Sequence, residues 1–267
     1  MAGEVMLRCA AASDTGLARQ RNEDSAYAGR WLYAVADGLG GHVAGDLASA
    51  TVVTALRACD AKVAAAQLLA TLSKAVGAAN EVLARKVAAD PALAGMGTTL
   101  TAMLWSGRSA AVAHIGDSRA YLLRGGRLLR ITEDHRLDGL VDDPGRLSPG
   151  LVRYLDGRPE RSPDMALGYG LPGDRYLLCS DGLSSVVSHV VIQQALQSAA
   201  SADEAVQSLI ALAYDAGAPD NITVLVLDVA EVKAGTGVLS KPVTLGAAGA
   251  LARCCRSESL RPSRDKD

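Results

Sequence analysis

The spacing of hydrophobic positions changes several times along this 267-residue chain. Leu7–Ala11, Ser25–Gly29 and Trp31–Asp37 are short apolar runs that read as strands, with Gly29 and Arg30 turning between the last two. Ala44–Cys59 and Gln67–Ala88 are rich in Ala and Leu at helical spacing and predict two long helices, ended by Pro91 and Gly95. Strand texture follows over Thr99–Trp105, Ala110–Ile115 and Ala120–Leu123, and Gly125-Gly126 makes a hairpin turn into Arg127–Ile131. Residues 136–173 hold five of the nine prolines among charged residues and glycines, which predicts an irregular segment. Regular texture returns with strand Arg175–Ser180, helices near Val187–Ala199 and Ala202–Ala216, and strand Ile222–Val229. Strands, two helices, strands, two helices and a strand fit a layered α+β domain with antiparallel sheets, not the βαβα alternation of a parallel one. That domain is expected to cover 1–230, with 231–267, which carry seven basic and four acidic side chains, as a flexible tail.

Composition narrows the picture. With 49% hydrophobic residues and no Phe, a sizeable core must be assembled from Ala, Val and Leu. A net charge of −2 offers no electrostatic footprint for nucleic acid. The five cysteines are odd in number and contain no CxxC, so a reducing, cytoplasmic setting is expected. Met1–Arg8 lacks the regions of a signal peptide. Val243–Ala252 is too short for a bilayer span, which needs about 20 apolar residues, so a soluble protein without a membrane span is expected.

The candidate chemistry lies in carboxylates at strand ends. Asp37 follows Leu-Tyr-Ala-Val-Ala and precedes Gly38; Asp181 follows Tyr-Leu-Leu-Cys-Ser; Asp220 comes just before Ile-Thr-Val-Leu-Val-Leu; Asp117 follows Val-Ala-His-Ile-Gly. Any one of them is an ordinary turn residue. Four in one chain, with the adjacent pair Glu23-Asp24, suggest convergence, and converging carboxylates repel and raise one another's pKa. Hard divalent cations relieve that repulsion, and all-oxygen ligands suit Mg²⁺ or Mn²⁺ better than Zn²⁺. Gly38 would let a backbone carbonyl approach such a cation.

Six motifs occur in order: Arg19-x-x-x-Glu23-Asp24, Ala36-Asp-Gly-Leu-Gly-Gly-His-x-x-Gly45, Gly97-Thr-Thr, Ile115-Gly-Asp-Ser-Arg119, Leu178-Cys-Ser-Asp-Gly-Leu183 and Pro219-Asp-Asn-Ile-Thr223. Together they resemble the metal-dependent serine/threonine protein phosphatases of the protein phosphatase 2C class, especially the bacterial members, over about residues 5–230. The resemblance implies a four-layer α-β-β-α sandwich of two antiparallel sheets flanked by helix pairs. It implies two Mn²⁺ or Mg²⁺ ions, bridged by Asp37, with the Gly38 carbonyl on one and Asp181 and Asp220 completing the other. Asp117 with Asp181 matches a third-metal position. Arg19 matches the phosphate-binding arginine, Glu23 a residue acting on metal-activated water, Asp24 its supporting carboxylate, and His42 a general acid or a turn-structuring residue. Phosphoprotein substrates are expected, bacterial relatives point to serine/threonine kinases as partners, and a monomer is expected. The stretch between Glu133-Asp-His135 and Arg153–Asp156, the family's flap, is shortened here, which bears on substrate selection and the third metal.

Rival chemistries fare worse. A cysteine phosphatase needs Arg six residues after its Cys, where Cys9, Cys59 and Cys179 are followed by Thr15, Ala65 and Ser185. A dinucleotide fold could use Gly38 and Gly40, but Val43 occupies the third glycine position and Asp37 would repel pyrophosphate. A silent scaffold would have lost metal carboxylates, and all are present. A smaller phosphoester substrate stays open.

Overall fold

The computed structural model describes residues 5–39, 44–137, 150–231 and 241–249. Thirteen strands and five α-helices are assigned among them. In chain order they are β1 (Val5–Asp14), β2 (Ser25–Ala28), β3 (Leu32–Ala36), β4 (Gly38–Leu39), α1 (Gly45–Leu56), α2 (Leu68–Ala89), β5 (Gly97–Thr98), β6 (Leu100–Ser106), β7 (Ser109–Ile115), β8 (Arg119–Arg124), β9 (Arg127–Arg130), β10 (Asp164–Tyr169), β11 (Arg175–Cys179), α3 (Asp181–Ser184), α4 (His189–Ser198), α5 (Ala202–Asp215), β12 (Ile222–Glu231) and β13 (Val243–Leu245).

A five-stranded sheet runs β1-β12-β11-β8-β9 and a six-stranded sheet β10-β7-β6-β3-β2-β13, every neighbouring pair antiparallel. The strand period of two explains how they stack. On β12, Ile222, Val224 and Val226 face α4 and α5, while Leu225, Leu227 and Val229 face the other sheet. On β3 and β6, Leu32, Ala34, Leu100, Ala102 and Leu104 face α1 and α2, while Tyr33, Val35, Met103 and Trp105 face inward. The result is the expected α-β-β-α sandwich with three apolar layers. The two outer layers are mostly aliphatic, with Tyr27 in one and Tyr121 in the other, and the first is closed by the helical stripe Leu68, Leu72, Val76, Ala79 and Leu83. In the middle layer Trp105 meets Tyr176 edge to face, centroids 5.3 Å apart, and supplies bulk that Phe provides in other cores.

Two expectations are corrected. The proline-rich stretch 136–173 contains β10, an exposed strand that pairs with β7 along its whole length. Its mostly exposed side chains give no alternation to read. The flexible tail expected from 231 onward is interrupted by β13, which pairs with β2 and is followed by buried Ala247 and Ala248. Backbone pairing holds this three-residue strand, so its composition gave little sign of it. Among the described residues no helix is long and apolar enough to cross a membrane.

Candidate metal centre

Antiparallel pairing brings the chemically marked strand ends to one edge of the sandwich. Ser25 pairs with Ala36, so Asp24 at the start of β2 lies beside Asp37 at the end of β3. Cys179 pairs with both Arg119 and Val224, which sets Asp181 near Asp117 on one side and Asp220 on the other. Positions up to 201 residues apart in sequence thus share one edge.

The backbone at Asp37 is fixed from both directions. Its N–H donates to Thr99 Oγ1 at 2.9 Å, and its carbonyl accepts from Thr99 N at 2.9 Å and Thr98 Oγ1 at 2.8 Å. What faces its carboxylate is other carboxylates. Burial first, then Asp24, Asp181, Asp117 and Asp220 in turn, push its pKa well above the ordinary value. Burial, Asp117 and Asp220 raise Asp181 to about 7, and Asp37 lies within hydrogen-bonding reach of it. Asp24 is fully enclosed and raised to about 8, chiefly by burial; Ser180 Oγ donates to its Oδ2 at 2.7 Å, and its Oδ1 has no partner. Burial and Asp46 raise Glu23.

Gly38 and Gly45 let Glu23 into this group. A Cβ on Gly38 would strike the carbonyls of Gly45 and Glu23, and one on Gly45 would come within 2.6 Å of Glu23 Oε2. Glycine at both places therefore permits the Gly38 carbonyl and the Glu23 carboxylate to crowd the same spot.

Among the described residues, arginines answer the charge. Arg19 Nη2 reaches Asp220 Oδ2 at 2.7 Å, and Arg136 Nη1 reaches Asp117 Oδ2 at 2.7 Å. Among the described residues no three Asp, Glu, His or Cys side chains close to the spacing of a formed metal shell. The donor set nevertheless fits hard cations: oxygen only, strongly anionic, with an orphaned buried carboxylate oxygen at its rear. His42 lies outside the described residues, as do residues 138–149 of the stretch expected to form a shortened flap.

Several residues that matter here escaped the sequence reading. Asn221 accepts from Glu23 N at 2.8 Å and donates to the carbonyls of Thr15 and Arg21 at 2.9 Å, binding the loop of Arg19 and Glu23 to the start of β12. Its place directly after Asp220 was the available signal. Ser180 links Asp24 to β12 by accepting from Thr223 N at 2.9 Å. His114 shares hydrogen bonds with Thr101 Oγ1 and the Glu133 carbonyl, and burial lowers its pKa to about 4.

A two-sheet sandwich that gathers acidic side chains from five strand ends at one edge is suited to binding cations. The chain belongs to the protein phosphatase 2C family, whose pattern matches residues 18–223. It is 46% identical to the serine/threonine protein phosphatase PstP of Mycobacterium tuberculosis over 91% of this chain, and spans about half (48%) of that relative's length. It is 32% identical to the serine/threonine phosphatase stp of Listeria monocytogenes over 81% of this chain and 93% of the relative. Among solved structures, the PstP catalytic domain in complex with two manganese ions superposes with a TM-score of 0.78 at 48% identity, covering 85% of this chain and all of that one. PppA of Pseudomonas aeruginosa superposes at 0.76 with 33% identity, covering 84% and 98%.

Proposed function

We propose that this protein hydrolyses phosphoserine and phosphothreonine in proteins, using two Mn²⁺ or Mg²⁺ ions held by Asp37, the Gly38 carbonyl, Asp181 and Asp220. The observation that carries the reading is the opposed set of buried and half-buried carboxylates around Asp37, whose mutual repulsion calls for a divalent counter-charge. When bound, such ions supply an acidified water as nucleophile and neutralise charge on the phosphoryl group. Arg19, half exposed at the rim, offers a planar fork for two phosphoryl oxygens and is held toward the site by Asp220. Glu23, with its raised pKa, is suited to hold a proton at its carboxyl beside the Gly38 carbonyl. Asp24 supports it from behind, anchored by Ser180. The substrates are phosphoproteins that serine/threonine kinases produce, and the protein acts as a monomer in the cytoplasm.

Phosphate release from a phosphothreonine peptide with Mn²⁺ tests this. Activity should disappear with EDTA and in Asp37→Asn. Turnover without metal, or full activity in Asp37→Asn, would overturn it.

A further inference from the structure

The tripeptide Asp134-His135-Arg136 grips the turn that carries Asp117 residue by residue. Arg119 donates to Asp134 from Nε at 3.0 Å and from Nη2 at 2.6 Å. Gly116 N donates to His135 Nδ1 at 3.0 Å, and His135 N returns a bond to the Gly116 carbonyl at 2.8 Å. Arg136 then places Nη1 at 2.7 Å from Asp117 Oδ2. The backbone on its other side is braced as well: Arg136 bridges to Leu151, and Val152 N donates to the His135 carbonyl at 2.8 Å.

We propose that Arg136 is this chain's resident third cation: its guanidinium occupies Asp117, so that the protein binds two divalent ions where Asp117 and Asp181 would otherwise take another. The inference rests on the two-metal reading above. The pair is shielded, because Asp117 is only 4% exposed, and a shielded ion pair is weakly screened by salt. A tethered guanidinium brings one positive charge without an open coordination position, so it neutralises Asp117 but cannot bind water or phosphate as a metal does. An incoming dication has to displace it and leave a partly buried arginine without that partner, which costs affinity.

Calorimetric and spin-resonance titration of the full chain with Mn²⁺ tests the assignment, with circular dichroism confirming the fold of each variant. The wild-type protein should bind two ions. Arg136→Ala should gain a third, or tighten its weakest step by about tenfold or more. Arg136→Lys, which keeps the charge, should stay near wild type, and Asp117→Asn added to Arg136→Ala should remove the gained ion. Two ions in the wild type with an unchanged isotherm in Arg136→Ala would overturn the role of Arg136 alone. Absence of Mn²⁺ binding in the wild type would overturn the two-metal reading and this inference with it.

Discussion

Asp60 and Asp37 are the same residue type beside the same β-structure, yet the fold treats them oppositely. Asp60 receives Tyr27 OH at 2.8 Å and the backbone N–H groups of Arg30, Trp31 and Leu32, so every lone pair it offers the turn before β3 is used. Asp37, at the other end of β3, has its backbone fully bonded while its carboxylate faces Asp24, Asp181, Asp117 and Asp220. The structural aspartate is thus surrounded by donors and the candidate metal ligand by acceptors. The sequence marks Asp37 by its apolar strand and following glycine, and the partners brought in by tertiary contacts set the two apart.

The largest test of that contrast is Asp37→Asn. It should lower phosphatase activity by about 1,000-fold or more, while the far-ultraviolet circular dichroism spectrum stays that of the wild type. Asp60→Ala should do the reverse. Stripping a shared acceptor from a phenol and several backbone N–H groups should cost about 3 kcal/mol in urea unfolding, with activity per folded molecule preserved. Activity loss without destabilisation in Asp60→Ala would erase the distinction.

Two smaller effects follow from buried titrating groups, and they have opposite signs. His114 is held neutral with a pKa of about 4, below its ordinary value. The unfolded chain therefore takes up its proton first, and stability should fall as pH drops from about 6.5 to about 4, by about 3 kcal/mol. His114→Gln should flatten that limb of a pH–stability curve. Asp24 is raised to about 8, so in metal-free protein its contribution is fully present below about pH 4 and is lost as pH rises toward 8. Asp24→Asn should remove that loss, and stabilise the metal-free protein at pH 8 by about 1–3 kcal/mol, read from melting with EDTA present. An unchanged profile would show that Asp24 ionises in the folded protein near its ordinary pKa.

Most of the fold was legible because long elements carry their own periodicity. β12 alternates between two apolar layers over ten residues, and α2 keeps one buried stripe through 22. β10 and β13 were missed for one physical reason: both are edge strands held by backbone pairing, where side chains need not alternate. At the candidate site, Asp37, Asp181 and Asp220 could be picked out because each adjoins an apolar run. Asn221, Ser180 and Arg136 could not be given roles, since each acts on residues 19 to 206 positions away. Sequence shows which groups are available, and register decides which of them meet.

β13 has one more consequence. It covers the outer side of β2, with Ala247 N donating to the Asp24 carbonyl at 2.8 Å just beyond it. A protein shortened to residue 230, the boundary that hydrophobic patterning alone suggests, would leave Ser25–Ala28 as a bare row of peptide groups. Such a row recruits strands from other molecules. The short segment therefore works as a guard against self-association, and truncation should show itself first as concentration-dependent clumping in light scattering.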